Sequence, residues 1–356
     1  MDKEERKALI LRPPTIEVIT ESDLDMLLET VARPRHYIGF EISGPLHLGT
    51  LLISGLKIRD FMQAGFDCTV FLADWHTYIN EKLGGDWERI RRAARYYEEA
   101  FKLFVPGVEV VLGSELYASY TEYWRDVVRF GMHVSLSRAV RALTIMGRSQ
   151  RETLAMAQYL YPLMQAVDIH ALGVDVAHAG LDQRKAHVLA REVFPRLGWR
   201  PPVAVHHALL PGLSEPTVQG LDEDERMDRI VSSKMSKSRP EGLISVLDEP
   251  EAIERKLRRA WCPPDLVEGN PVLEIAKHII FRMRGRMVVE RPASKGGDVE
   301  FTDFAELSRE YRSGRVHPAD LKKAVAGALA DILRPFREHF AARPELVEVL
   351  TAAGEA

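Results

Sequence analysis

The sequence predicts an α/β fold: a mostly parallel sheet with flanking helices, followed by a smaller all-helical unit. Three observations carry this. Short apolar runs alternate with amphipathic helical stretches from about residue 36 to residue 206, the rhythm of strand–helix–strand units. From Asp248 onward only helical patterns recur, two of them opened by Asp248-Glu249-Pro250 and Asn270-Pro271, an N-cap with proline behind it. A length of 356 residues suits one large or two medium units. The boundary falls near 235–248. The expected units are therefore 1–242, with a helical insertion at about 114–157 and a loop at about 230–240, and 243–356.

In chain order, residues 1–14 read as a polar lead-in ending in Pro13-Pro14. Ser22-Asp23-Leu24-Asp25 is a capping sequence for a helix to about Ala32. The first strand is expected at 36–42, and the helix after it runs to about Ala64, where Gly65 ends it. Residues 67–73, DCTVFLA, form a second buried strand with Asp74-Trp75-His76 at its carboxyl end. Residues 86–104 form a charged amphipathic helix whose charges read as a solvated face. A third strand covers 108–112, and a helical stretch rich in Tyr and Trp covers 114–130. Residues 132–157 hold Arg138, Arg141, Arg148 and Arg151 among Met and Leu and break the strand–helix rhythm; the arginines are either solvated or a basic patch. Further strands are placed at 173–178 and 203–206, with a helix opening at 179–184 between them. The loop 211–230 is acidic and bears Gly and Pro. Basic clusters at 255–261 and 309–315 precede a long amphipathic helix at 318–339.

Composition narrows the class. Hydrophobic residues make up 46% and charged residues 28%, ordinary for a globular enzyme. A net charge of −4 gives no whole-molecule pull on nucleic acid, so any such contact uses local basic patches. Cys68 and Cys262 are the only cysteines; they have no metal-ligand spacing and imply no disulfide framework, which suits a reducing cytoplasm. The charged start MDKEERK is unlike a signal peptide, and no apolar run has the length to span a bilayer.

Three stretches carry chemistry. In Tyr37–Thr50, YIGFEISGPLHLGT, a strand passes through Ser43-Gly44-Pro45 into a helix start at His47-Leu48-Gly49-Thr50. Unpaired N–H groups and the positive end of the helix dipole make such a turn an anion site; read blandly, it is an ordinary turn with a surface histidine. In the helix opened by Tyr161-Pro162, the residues Tyr161, Gln165 and Asp168 stand at i, i+4 and i+7 and share one face among apolar neighbours. Buried polar groups need partners, so a phenol, an amide and a carboxylate projecting together form a small polar pocket. The third stretch is Lys234-Met235-Ser236-Lys237-Ser238, two cations at loop spacing.

HLGT early and KMSKS late resemble the paired signature of the class I aminoacyl-tRNA synthetases, whose catalytic unit is a Rossmann-type sheet. YIGFE, LADWHTYIN, YPLMQAVDIHALGVDVAHAGLDQRK, CPPDLVEGNP and VHPADLK further resemble the tyrosyl-tRNA synthetases of the archaeal/eukaryotic kind over roughly residues 15–340. The resemblance implies a tyrosine–tRNA ligase that forms tyrosyl-adenylate from tyrosine and ATP, with Mg²⁺ on the ATP and no tightly bound cofactor, then transfers tyrosyl to the 3′ end of tRNA(Tyr). It implies catalytic roles for His47, Gly49, Lys234 and Lys237, with Met235 and Ser236 also beside the nucleotide and Gly180 and Asp182 by its ribose. Tyr37 and Asp168 would hold the substrate hydroxyl, and Tyr161, Gln165 and Gln183 its amino group. Ala73 and His76 would line the pocket, and Glu41 its edge; His76 by itself reads equally as a structural histidine. For tRNA the resemblance implies Arg138 and Arg184 near the acceptor end, and His317, Pro318 and Asp320 at the anticodon. It also implies a cytoplasmic homodimer with no membrane contact.

The chain departs from the family pattern where Lys295 stands before Gly296-Gly297 in place of an aromatic, and where His178-Ala179 replaces a common Val-Gly pair. The rival readings are a tryptophanyl-tRNA synthetase, a nucleotidylyltransferase that charges no tRNA, and a non-catalytic RNA-binding or signalling paralogue, against which the intact His47, Lys234 and Asp168 argue.

Overall fold

The computed structural model describes residues 1–147, 154–220, 224–237 and 239–351. Six strands form the main sheet: β1 (Thr15–Ile19), β2 (Arg35–Phe40), β3 (Asp67–Leu72), β4 (Glu109–Leu112), β5 (Val176–Gly180) and β6 (Val203–His207). Their order is β1-β6-β5-β2-β3-β4, parallel throughout except for β1, which pairs antiparallel with β6 at the edge. The chain builds β3 and β4 on one side of β2, then returns to build β5 and β6 on the other. The order thus reverses between β2 and β5, and a crevice opens at their carboxyl ends, where open α/β sheets bind ligands.

The two-residue period of the central strands divides the interior into two cores. Ile38, Val70, Leu72 and Val176 face one core, shared with the helices Ser54–Gln63 and Trp87–Phe104. Tyr37, Phe71, Ala73 and Ala177 face the other, shared with the helices Tyr161–Ala171 and Arg184–Val193.

The first core runs on into the C-terminal helices, taking in Ile244, Ile253, Leu273, Leu329 and Phe336. The junction is also hydrogen-bonded: Leu48 N donates to Ile244 O at 3.2 Å and Val246 N to Leu46 O at 3.0 Å. This second unit is helical apart from one short ribbon, β7 (Met287–Val289) against β8 (Val299–Phe301), which the expectation of an all-helical unit did not include.

Three expectations need correction. The stretch 211–230, expected as a loop throughout, runs into a helix, Glu225–Ser233, capped by Asp224. The polar lead-in is a helix, Lys3–Leu11, started by a capping box between Asp2 and Glu5 and burying Leu9 and Ile10. The fully buried Lys57 holds the chain leaving it: Nζ donates to Leu9 O, Ile10 O and Arg12 O at 2.9–3.1 Å and to Asp60. The edge strand β1 follows the lead-in, in a stretch where no element was expected. The helix Trp87–Phe104 is amphipathic as expected, with Arg91, Arg92 and Arg95 exposed on one face. It buries Ile90, Tyr96, Tyr97 and Phe101, its Tyr96 ring meets Phe340 at 4.7 Å, and Arg89 Nε donates to Val349 O at 2.9 Å.

Candidate active site

All residues assigned from sequence to tyrosine and nucleotide line one cavity of about 590 Å³ at the β2/β5 crevice. Three elements build it: the turn after β2, the helix Tyr161–Ala171 with the turn after β5, and the loop beginning at Lys234.

At the first, His47 caps the helix start. Its Nδ1 accepts from the amides of Gly49 at 3.2 Å and Thr50 at 3.4 Å, so in the neutral ring the proton sits on Nε2, 2.8 Å from Thr50 Oγ1. Burial, helped by Lys237 and Lys234, holds the imidazole well below its usual pKa. His47 is therefore a neutral donor. A Cβ on Gly49 would stand 3.2 Å from His47 Cε1, so glycine lets the ring lie over the first turn.

Both loop lysines reach into this crevice. Lys234 Nζ is 2.6 Å from Asp182 Oδ2. Burial alone would raise the Asp182 pKa, but the Lys234 ammonium carries it below the usual range, so Asp182 is a carboxylate. Lys237 Nζ donates to Ser43 Oγ at 3.0 Å and Tyr97 Oη at 2.6 Å and lies 5.3 Å from the Tyr97 ring centre. Met235 is buried, with its amide on Leu210 O at 2.8 Å. Ser236 lines the cavity, and Ser238 lies outside the described residues.

The shared helix face is present as expected. Tyr161 Oη donates to Glu41 Oε1 at 3.1 Å, and Glu41 also accepts from Asn80 Nδ2 at 2.7 Å. Gln165 Nε2 donates to Gln183 Oε1 at 3.2 Å, and Gln183 Nε2 to Ile145 O at 3.1 Å. Asp168 is buried, and its Oδ1 accepts from Tyr123 Oη at 2.7 Å and Tyr117 Oη at 2.9 Å. Its Oδ2 has no hydrogen-bond partner among the described residues. His76 Nε2 stands 3.6 Å away, too far for a hydrogen bond, and among the described residues neither His76 nitrogen has a hydrogen-bond partner. Burial pushes Asp168 up to about 8 against the pull of its two tyrosine donors, and pushes His76 down to about 3. At neutral pH and without ligand, the two face each other uncharged.

Tyr37 folds back along its own strand. A Cβ on Gly39 would stand 2.7 Å from Tyr37 Oη, so Gly39 makes room for the phenol at the cavity wall. Sequence reasoning missed Gly39, and it missed Tyr117, Tyr123 and Tyr97 as partners of Asp168 and Lys237. The only signal was the Tyr-rich composition of 114–130, which named no partner.

The residues assigned to tRNA lie apart from the cavity. Arg138 Nη2 meets both oxygens of Glu192 at 2.8–2.9 Å, and Arg184 Nε meets both oxygens of Glu17 at 2.9 Å. His317 caps the helix Pro318–Ala341, accepting from Ala319 N at 3.2 Å, with Pro318 at the first helical position. Asp320 lies in that first turn, and its Oδ2 has no hydrogen-bond partner among the described residues. Arg148, Arg151 and the Lys295 side chain lie outside the described residues. His178 does not line the cavity: it is fully buried, bonded to two other histidines. Among the described residues no cluster of three or more His, Cys, Asp or Glu is placed to hold a metal ion, and no helix is long and apolar enough to cross a membrane.

The family model for class I tRNA synthetases (W and Y) matches residues 30–334. The chain is 47% identical to the tyrosine–tRNA ligase of Pyrococcus abyssi, with 98% of each chain covered. Its fold is similar to the crystal structure of the tyrosyl-tRNA synthetase of Pyrococcus horikoshii complexed with L-tyrosine: TM-score 0.91, 45% identity, covering 99% of this chain and 100% of that one. The corresponding complex from Archaeoglobus fulgidus gives TM-score 0.83 at 42% identity, covering 97% and 100%. A switch-point cavity with a histidine-capped turn, two lysines at its mouth and a buried carboxylate inside, on a chain this similar throughout, places the protein in a family: it belongs to the class I tRNA synthetases, among the tyrosyl-tRNA synthetases of the archaeal/eukaryotic type.

Proposed function

We propose that this chain activates tyrosine with ATP and charges tRNA(Tyr) through the cavity just described. The observation that carries the reading is the free oxygen of Asp168, buried beside His76 without a hydrogen-bond partner among the described residues, in a cavity that Tyr37 also lines. An unsatisfied buried acceptor calls for a donor from the ligand, and a phenol hydroxyl supplies one. Phenylalanine would leave Asp168 and Tyr37 unpaired, which is how a site rejects a substrate that lacks one hydroxyl. The substrate ammonium is received by the oxygens of Tyr161, Gln165 and Gln183, with Glu41 behind Tyr161. Ala73 and His76 close the ring pocket.

The tyrosine carboxylate is ionised at neutral pH and needs no general base. It attacks the α-phosphorus of ATP; the P–O bond to the β-phosphate breaks and pyrophosphate leaves, with Mg²⁺ travelling on the triphosphate as part of that substrate. His47, as a neutral donor at a helix start, and the Lys234 and Lys237 ammoniums supply positive field where phosphate charge develops. To reach it the lysines exchange Asp182, Ser43 and Tyr97 for phosphate oxygens, and Asp182, with Gly180, is left to the ribose. A terminal ribose hydroxyl of tRNA then attacks the adenylate carbonyl and AMP departs. Arg138, Arg184, His317, Pro318 and Asp320 are the tRNA contacts in this reading.

Tyrosine-dependent exchange of pyrophosphate into ATP tests it, run beside tryptophan and phenylalanine. Exchange with tyrosine alone is expected. Exchange with tryptophan instead overturns the substrate, and exchange without tRNA charging leaves only a nucleotidylyltransferase.

The same reading makes the enzyme a cytoplasmic homodimer. The helix Tyr123–Gly131 exposes Trp124 and Val128 (66%) one turn apart, with Met132 (81%) at its C-cap; Leu136 (69%), also exposed, opens the next helix, Leu136–Ala142. An apolar patch of that kind on a surface is a partner face. Sedimentation is expected to give twice the chain mass, and Met132→Glu to shift it to monomer; a monomeric wild type refutes the dimer. Cys68 and Cys262 are both free thiols, as suits a reducing compartment.

A further inference from the structure

Three histidines form a hydrogen-bonded chain across neighbouring strands behind the nucleotide side of the cavity. His36 Nε2 on β2 lies 3.1 Å from His178 Nδ1 on β5, and His178 Nε2 lies 2.8 Å from His207 Nδ1 on β6. All three rings are buried, but His207 also lines the cavity. A Cβ placed on Gly180 would stand 2.7 Å from Asp182 Oδ1 and 3.6 Å from His207 Nε2, so these two polar atoms border the same small space. His207 Nδ1 is taken by His178, and its Nε2 has no hydrogen-bond partner among the described residues.

Burial keeps all three rings uncharged, and Lys57 adds to the effect. Three neutral imidazoles carry three protons. Two occupy the two links of the chain, and the third sits at one end, on His36 Nδ1 or on His207 Nε2. Depending on which, His207 offers the cavity an acceptor or a donor. A hydroxyl satisfies either, because it both donates and accepts.

We propose that His207 is a nucleotide-binding residue whose Nε2 hydrogen-bonds a ribose hydroxyl of ATP beside Asp182, with His178 and His36 as positioning residues that hold its ring. This rests on the adenylation reading above. It also gives His178, a departure from the family pattern, a place in the site: it supports the nucleotide wall from behind.

The test is pyrophosphate exchange with ATP, 2′-deoxyATP and 3′-deoxyATP, in the wild type and in His207→Phe. The wild type is expected to prefer ATP over one of the deoxy analogues by about tenfold, the size of one hydrogen bond. His207→Phe raises the KM for ATP by about that factor, leaves the KM for tyrosine unchanged and levels the preference. His178→Leu, which cuts the chain without touching ligand, loses part of the same preference. An unchanged KM for ATP in His207→Phe, or an ATP-to-deoxyATP ratio equal to the wild type's, overturns the proposal. Should His207→Phe fail to fold, imidazole ¹⁵N spectra of the wild type decide: one histidine Nε2 resonance shifts on adding ATP and not on adding tyrosine, and no shift with ATP overturns it. A wild type with no tyrosine-dependent exchange sinks the parent reading instead.

Discussion

Lys234→Ala lowers the rate of tyrosyl-adenylate formation by about two to three orders of magnitude, the usual cost of removing one charge-stabilising donor from a reacting centre. The expectation comes from where Lys234 rests. Its ammonium sits 2.6 Å from Asp182 in the cavity that His47 and Lys237 also line. In the structure it neutralises Asp182; in the proposed mechanism it moves to the triphosphate. The loss therefore falls on kcat, because the cation is needed most when the leaving pyrophosphate gathers charge. Tyrosine binding is spared, since Lys234 touches none of Tyr37, Asp168 or Tyr161. Thermal stability falls modestly as well, because Asp182 is mostly buried and loses the ammonium that offsets its burial. Single-turnover adenylate formation in a rapid-quench experiment measures the effect. An unchanged rate removes the loop from the mechanism.

Asp168→Asn has the second large effect, on selection. A hydrogen bond to a charged acceptor contributes about 1.5–3 kcal/mol, so its loss lowers the preference for tyrosine over phenylalanine by about 10- to 100-fold. Asparagine still accepts from Tyr117 and Tyr123, so the fold around the site survives. The proton balance makes the prediction sharper. Without ligand, burial raises Asp168 to about 8. The substrate phenol adds a third donor to the two already on the carboxyl and so lowers that pKa on binding. Tyrosine binding then releases a proton between pH 6 and 8. The KM for tyrosine falls as pH rises toward about 8 and levels off above it. Asp168→Asn abolishes that slope; a slope that persists in the variant assigns it to another group.

The stability consequence has the opposite direction. The native acid holds its proton up to about pH 8, while the unfolded one loses it near the ordinary aspartate value of 3.8. Between these values the native state binds more protons, so wild-type stability falls as pH rises through that window. The variant has no such loss. Asp168→Asn melts higher than wild type above pH 8, by an amount on the order of a few kcal/mol, and the gap closes toward pH 4. Melting curves across that range check the sign.

What could be read from the chain alone was local. The i, i+4, i+7 placement of Tyr161, Gln165 and Asp168 is a property of helical pitch, and the structure puts all three on the cavity. The His47 cap and the Gly/Pro turn before it, the prolines that open the C-terminal helices, and the alternation of apolar runs with amphipathic ones are likewise written in neighbouring residues. The packing of distant segments decided the rest. Lys3–Leu11 is too charged to announce that it buries Leu9 and Ile10; that follows only once Lys57 draws its last carbonyls inward. Nothing in the stretch 114–130 says that Tyr117 and Tyr123 end on Asp168, and nothing near Lys237 says that it rests on Tyr97. Dihedral preference and side-chain period act over a few residues, so the sequence carries them openly. Hydrogen bonds between elements depend on strand order and helix docking, which only the folded chain as a whole determines.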